Sequence, residues 1–222
     1  PTGLEALVSR WGLTARDELV IDPNRGHRQD GKVLSFIFST NVFAGDSRIT
    51  QGMGPQTPVA FWVAQPVEPA PEGVPPGIRV NSLVQSERSA WAKRDLRDLV
   101  TGILKPEPSL DRPGPHSLAI QVAVHPEDIP AKLPEGYSGP APLSSDAAKE
   151  GRAVVIGDAD FAASQVLAQS RSNQDFLLNA CYWLLDQEGS MGISAKTLST
   201  HVIVAAWLGT SLVFDHGIGV SR

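Results

Sequence analysis

The chain has 222 residues and a mass of 23.7 kDa, with 41% hydrophobic and 19% charged residues, which suits one large domain or two small ones and excludes wholesale disorder. Nineteen basic against 24 acidic residues leave a net charge of −5, which excludes a broad basic face for nucleic acid. A single cysteine excludes an internal disulfide and any cysteine-built zinc cluster.

Twenty glycines and 18 prolines mark a loop-rich chain. It starts at Pro1, which reads as an excised or processed piece of a longer parent, and no signal peptide is visible. The longest apolar run, Val202 to Phe214, contains Gly209, Thr210 and Ser211 and is too short to span a bilayer. It reads as a buried strand or helix rather than a truncated anchor.

In chain order, Leu4, Leu7, Val8 and Trp11 recur at helical spacing, with Gly12 placed to end the helix. Glu18 to Asp22 reads as a short buried strand stopped by Pro23, and residues 24–32 as a polar loop. Val33 to Phe43 and Val59 to Val67 are β-rich, with a Gly/Pro connection over 44–58. Residues 68–77 predict a stiff Pro-rich excursion. Ile78 to Gln85 alternates as a strand does. Ser89 is placed to cap a helix through Trp91, Leu96, Leu99 and Leu104, and Pro106 to Pro115 breaks the chain again. Ser117 to Val124 is a strong strand, residues 125–150 form a second Pro-rich excursion, and Arg152 to Gly157 reads as the cleanest buried strand. Asp160 then caps a helix through Gln169. Asn173 caps another, with Phe176, Leu177, Ala180, Trp183 and Leu184 on one face. Strands interleaved with helices give the α/β class, and the run of strands between 18 and 86 without a helix predicts antiparallel additions. Residues 1–190 are expected to form a single domain, with 191–222 as a C-terminal extension.

Few motifs carry chemistry. Gly26 to Lys32 matches GxxxxGK after a strand, but Val33 replaces the Mg²⁺-binding Ser/Thr and a β-branched run stands where a helix is needed, so a surface turn is the better reading. Gly157-Asp158-Ala159-Asp160-Phe161 is the sharpest feature: a strand, a turn and two acids opening a helix. Ligands collect at strand ends in open α/β sheets, and Asp158 with Asp160 could hold Mg²⁺. The preferred reading is structural, with Asp160 as a cap and Asp158 bonding turn amides. Histidines 27, 116, 125, 201 and 216 show no HxH or HExxH spacing. Cys181, mid-helix, reads as a small core residue, as do Trp91, Trp183 and Trp207; Trp62 fits either core or a partner surface. Asn179 lies in an apolar helix and, if buried, needs a partner such as turn backbone near Gly157. There is no GxSxG and no GxGxxG.

Residues 154–185, VVIGDADFAASQVLAQSRSNQDFLLNACYWLL, resemble the extracytoplasmic domain of GldG-like proteins, auxiliary components of ABC-type export systems linked to gliding motility. The hallmark strand ending in GDSDF is matched by Gly157 to Phe161, and the segment after the helix by Asn173, Asp175-Phe176-Leu177-Leu178-Asn179 and Trp183-Leu184. Weaker similarity in the same order covers Leu7 to Pro23, Asp46 to Thr50, Val59 to Val67 and Ser86 to Trp91, so the resemblance spans roughly residues 4–186. Ala159 and Ala163 replace residues usually polar in the hallmark. Residues 187–222 lack the family's usual basic, Pro-containing strand before its membrane helix.

The resemblance covers what is normally the second, C-terminal half of the family's domain, and implies a layered mixed sheet related to flavodoxin-like and glutamine-amidotransferase-like folds, without the amidotransferase catalytic residues and with the upstream strands lacking or received from elsewhere. It implies a non-enzymatic accessory domain with no cofactor, on the extracytoplasmic (periplasmic) face of the inner membrane. Its partners would be an ABC permease and ATPase, with the membrane reached through parts of the parent outside this chain and no role for nucleic acid. Two alternatives stay open: a solute-binding module at the sheet's carboxyl edge, and a metal-dependent hydrolase using Asp158 and Asp160. Asp158, Asp160, Asn173 and Asn179 are the candidate ligand or turn residues.

Overall fold

The computed structural model describes residues 4–29, 31–43, 46–97, 104–133, 135–141 and 151–187. Expectations for Leu99, Trp207, His201, His216, the apolar run 202–214 and the extension 191–222 lie outside them. The chain opens with α1 (Leu4–Arg10), then β1 (Leu13–Ala15), β2 (Leu19–Ile21), β3 (Gly26–Gln29), β4 (Lys32–Thr40), β5 (Val42–Phe43), β6 (Val59–Trp62) and β7 (Val67–Pro69). There follow β8 (Ile78–Gln85), β9 (Trp91–Lys93), β10 (Arg112–Pro113), β11 (Ser117–Val124), β12 (Gly151–Ile156), α2 (Ser164–Gln169) and α3 (Arg171–Leu184).

The fold is mixed α/β, with several small sheets and few helices. The strands order as β12-β11-β8-β5, β3-β4-β6, β10-β9-β2 and β1-β7, and every described pairing is antiparallel. These pairings do not carry a flavodoxin-like relationship, whose sheet is parallel. β11 is the most buried long strand because it has neighbours on both sides; β12 lies at the edge of its sheet and is half-buried throughout, not the cleanest buried strand.

Several local expectations are corrected. The polar loop at 24–32 is β3 and the start of β4, a hairpin around Gly31 at φ +76°. The missed signal is Asp30-Gly31, a hairpin-turn dipeptide. The strand expected over 59–67 breaks at Val63, a β-branched residue at φ +62°. Trp91 to Lys93 is strand rather than helix, because Ile21 and Leu19 of β2 pair with Trp91 and Lys93, and tertiary pairing overrides the helical spacing. Asp158, not Asp160, caps the turn that follows β12, a single 3₁₀ turn at Ala159–Ala162 before α2. Ser170, not Asn173, caps α3: its hydroxyl accepts from the Asn173 amide. Cys181 is exposed, since it lies about 140° around the helix from buried Phe176. Phe176, Ala180 and Trp183 form the buried face, whereas Leu184 is exposed.

The main core gathers a chain of rings, Phe38–Phe61–Phe161–Phe176, with centroids 5.9, 5.1 and 5.5 Å apart. It glues β4 and β6 to the turn after β12 and to α3. Arg152 of β12 ties the other end of α3, donating to the Trp183 carbonyl at 2.6 Å and lying 5.2 Å over the indole. A second, ionic seam joins the small sheets: Arg112 reaches Glu18 at 2.7 Å and Glu68 at 3.1 Å, and Arg16 reaches Glu68 at 2.7 Å. Glu68 is held down at about 2, chiefly by the His116 imidazole beside it and then by Arg16 and Arg112, against the opposing effect of burial. No helix among the described residues is long and apolar enough to cross a membrane.

Candidate functional site

Strand β6 pairs with β4 along one edge, Ile37 opposite Trp62 and Ser39 opposite Ala60. Its other edge would expose the polar groups of Ala60 and Trp62, which alternate with Phe61 along the strand. The segment after β12 closes that edge with side chains. Asp158 sits where β12 ends, and its Oδ2 accepts from the Trp62 amide at 2.6 Å while Oδ1 accepts from the Asp160 amide at 2.8 Å. Asn173, fully buried in the first turn of α3, takes the Ala60 amide on Oδ1 at 2.8 Å and returns Nδ2 to the Ala60 carbonyl at 2.9 Å. The side-chain amide thus replaces a neighbouring strand. Its remaining capacity is filled by the Ser170 hydroxyl, which donates to Oδ1 at 2.6 Å, and by the Phe161 carbonyl at 3.4 Å.

Asn179, two turns further along α3, donates to the Ile49 carbonyl at 3.0 Å rather than to turn backbone near Gly157. That carbonyl lies in a turn organised by Ser47, whose hydroxyl accepts from the Ile49 amide at 3.1 Å. Gly157 has its own reason. Its carbonyl accepts from the Gln65 amide at 2.6 Å, and a Cβ at this position would overlap the Gln65 carbonyl oxygen. The GDADF hallmark and the two asparagines therefore converge on the loop strands 47–50 and 60–65.

The chemistry of Asp158 follows from this position. Burial raises its carboxyl to about 6, overcoming the amides of Trp62 and Asp160, which favour the anion. Asp160 presents its backbone to Asp158, and its half-buried carboxyl has no hydrogen-bond partner among the described residues. Both Asp158 oxygens already accept amides, and no third His, Cys or carboxylate joins the pair among the described residues. The group there with cation-site spacing is His125, Glu127 and Asp128, but Arg79 holds Asp128 at 2.6 Å and His125 meets Glu127 at 3.2 Å.

Beside the clasped edge lies a cleft of about 870 Å³ between the β3–β4 hairpin and the start of α3. Trp62, half-buried, faces into it, as do Arg25, His27, Arg28 and Arg171. Arg25, His27 and Arg28 fall in the stretch expected to be a polar loop with no role; the density of basic residues in NRGHRQDGK was the signal.

The chain matches, over residues 1–180, the family model described as an ABC-type uncharacterized transport system, a family of auxiliary components. The chain belongs to this family. That agrees with the GldG-like resemblance carried by Gly157 to Phe161, Asn173 and Asn179. No curated protein and no solved structure matches the chain.

Proposed function

We propose that this member of the ABC-transport auxiliary family is a non-enzymatic accessory domain, a single α/β unit over residues 1–190. It stands on the extracytoplasmic, periplasmic side of the inner membrane, beside the permease of an ABC exporter whose ATPase completes the complex, with gliding motility as the cellular setting. The membrane is reached through parts of the parent outside this chain. The observation that supports this reading is what Asp158, Asn173 and Asn179 of the hallmark do. Asp158 and Asn173 bond the open edge of β6, Asn179 bonds the Ile49 turn, and Gly157 admits the Gln65 backbone. Groups engaged by main-chain amides and carbonyls hold a surface in shape; they are not free to attack a substrate or to shuttle its protons.

Crosslinking of the full-length parent in its own membranes, followed by mass spectrometry, tests the proposal. A permease and an ATPase recovered in stoichiometric amounts are expected. A soluble parent that brings down no ABC subunit would overturn it, and would return attention to Asp158 and Asp160 with metal titrations.

A further inference from the structure

The cleft beside β6 has a charge unlike that of the chain around it. The protein carries −5 overall, yet among the described residues the lining includes Arg25, Arg28 and Arg171 together with His27, and no aspartate or glutamate. Two of the arginines have acidic companions outside the lining: Arg25 meets Glu87 at 2.8 Å, and Arg171 meets Asp175 at 3.9 Å. Arg28 is exposed and has no acidic partner among the described residues. The opposite wall is the start of α3, a 14-residue helix whose Ser170, Arg171 and Ser172 line the cleft. First-turn amides of a helix lack intrahelical acceptors; the Asn173 amide is capped by the Ser170 hydroxyl, and the Ser172 amide has no acceptor among the described residues. Between the two walls lie apolar side chains, Ile37 and Trp62 among them.

The hairpin that forms this wall carries an irregularity. Gly26 pairs with Phe38 but His27 pairs with Leu34, so the ladder shifts and residues 35–37 bulge from β4. A Cβ on Gly26, between Arg25 and His27, would lie 2.6 Å from a Val33 methyl and 3.0 Å from the Ser35 Cα, so a side chain here would push on β4. Bulges re-aim side chains next to binding sites.

We propose that this cleft binds an oxyanion, the phosphate or carboxylate of a ligand whose apolar body lies against Trp62 and Ile37. A guanidinium fork matches the planar or tetrahedral oxygens of such a group, and a helix start adds amide donors from the opposite side. The apolar side chains between the charged walls favour an occupant that also carries an apolar body over a bare hydrated ion. The inference goes beyond the transport assignment and does not depend on it.

Phenyl phosphate, benzoate, inorganic phosphate and phenol, titrated into the whole chain and followed by amide chemical shifts, test it. Phenyl phosphate and benzoate are expected to bind more tightly than inorganic phosphate, to shift the amides of Ser172 and Trp62, and to weaken as salt rises. Phenol should not bind. Arg28→Gln should weaken phenyl phosphate by about tenfold or more while leaving the melting temperature unchanged. Arg79→Gln, at an exposed arginine outside the cleft lining, should leave the affinity as it was. Sedimentation with phosphatidylcholine vesicles containing phosphatidic acid separates the sources: binding reversed by phenyl phosphate marks a lipid headgroup, and binding to soluble esters alone marks a free metabolite. No binding of either aromatic anion at millimolar concentration, equal affinity for phenol, or an unchanged affinity in Arg28→Gln would overturn the proposal.

Discussion

Replacing Asn173 with alanine tests the clasp on β6 directly. The side chain makes a reciprocal pair with Ala60, at 2.8 and 2.9 Å, and is itself fully buried. Alanine leaves one amide and one carbonyl of Ala60 without partners. Each buried group left unsatisfied costs about 1–3 kcal/mol, and because Ala60 is half-buried, water recovers part of that. A net loss of about 2–4 kcal/mol is expected, which lowers a urea midpoint by about 1–2 M at the slopes usual for domains of this size. Asn173→Asp separates hydrogen bonding from packing. The carboxylate keeps the acceptor for the Ala60 amide but turns an anion toward the carbonyls of Ala60 and Phe161, where Nδ2 donated. At neutral pH it should be at least as damaging as alanine, and it should recover partly in acid as the carboxyl is protonated. Hydrogen exchange at the Ala60 amide should quicken in Asn173→Ala before global unfolding does. A loss below about 0.5 kcal/mol for alanine, or an aspartate variant as stable as the parent at neutral pH, would refute the reasoning.

Asp158 gives a pH signature. Its carboxyl is raised from 3.8 to about 6, so the native state holds a proton the unfolded chain has lost; this contribution is fully present below about 4 and falls away as pH rises through about 6. A shift of that size corresponds to at most about 3 kcal/mol, and Asp158→Asn should flatten the fall in urea midpoint between those pH values. Gly157→Ala should cost about 1–3 kcal/mol or prevent folding, measured by thermal melts, because the Gln65 backbone occupies the space a methyl needs. Val63→Gly should stabilise by up to about 1 kcal/mol in the same assay, since a β-branched residue at φ +62° carries strain that glycine does not. Lys93 and Asp111 are both almost fully buried and 3.6 Å apart, so Asp111→Ala should cost about 3–5 kcal/mol by leaving a buried cation, while replacing the pair with Met and Leu together should cost far less.

Some of this was legible in one dimension. β8 and β11 were read with their correct ends because eight residues of apolar alternation or apolar run between turn formers leave one conformation that buries them. The α/β class, the break after β12 and the apolar face of α3 were legible for the same reason: periodicity and capping are local. Asp158, Asp160, Asn173 and Asn179 could be singled out, since polar residues in apolar surroundings need an explanation. Their partners could not be read. Ala60 lies 113 positions from Asn173, and Ile49 lies 130 from Asn179, and no local pattern encodes such a pairing. The helix expected through Trp91 failed likewise, because a pairing with β2, some 70 residues away, outweighed the intrinsic preference of a short segment. Cys181 turned outward because the phase of α3 is set by which side chains reach the phenylalanine core. What the sequence alone determined, then, is a set of local preferences and a family hallmark. Which backbone edge those hallmark groups close, and the gathering of Arg25, Arg28 and Arg171 around one cleft, were decided only when distant segments packed, because hydrogen-bond satisfaction and charge clustering are properties of space rather than of spacing.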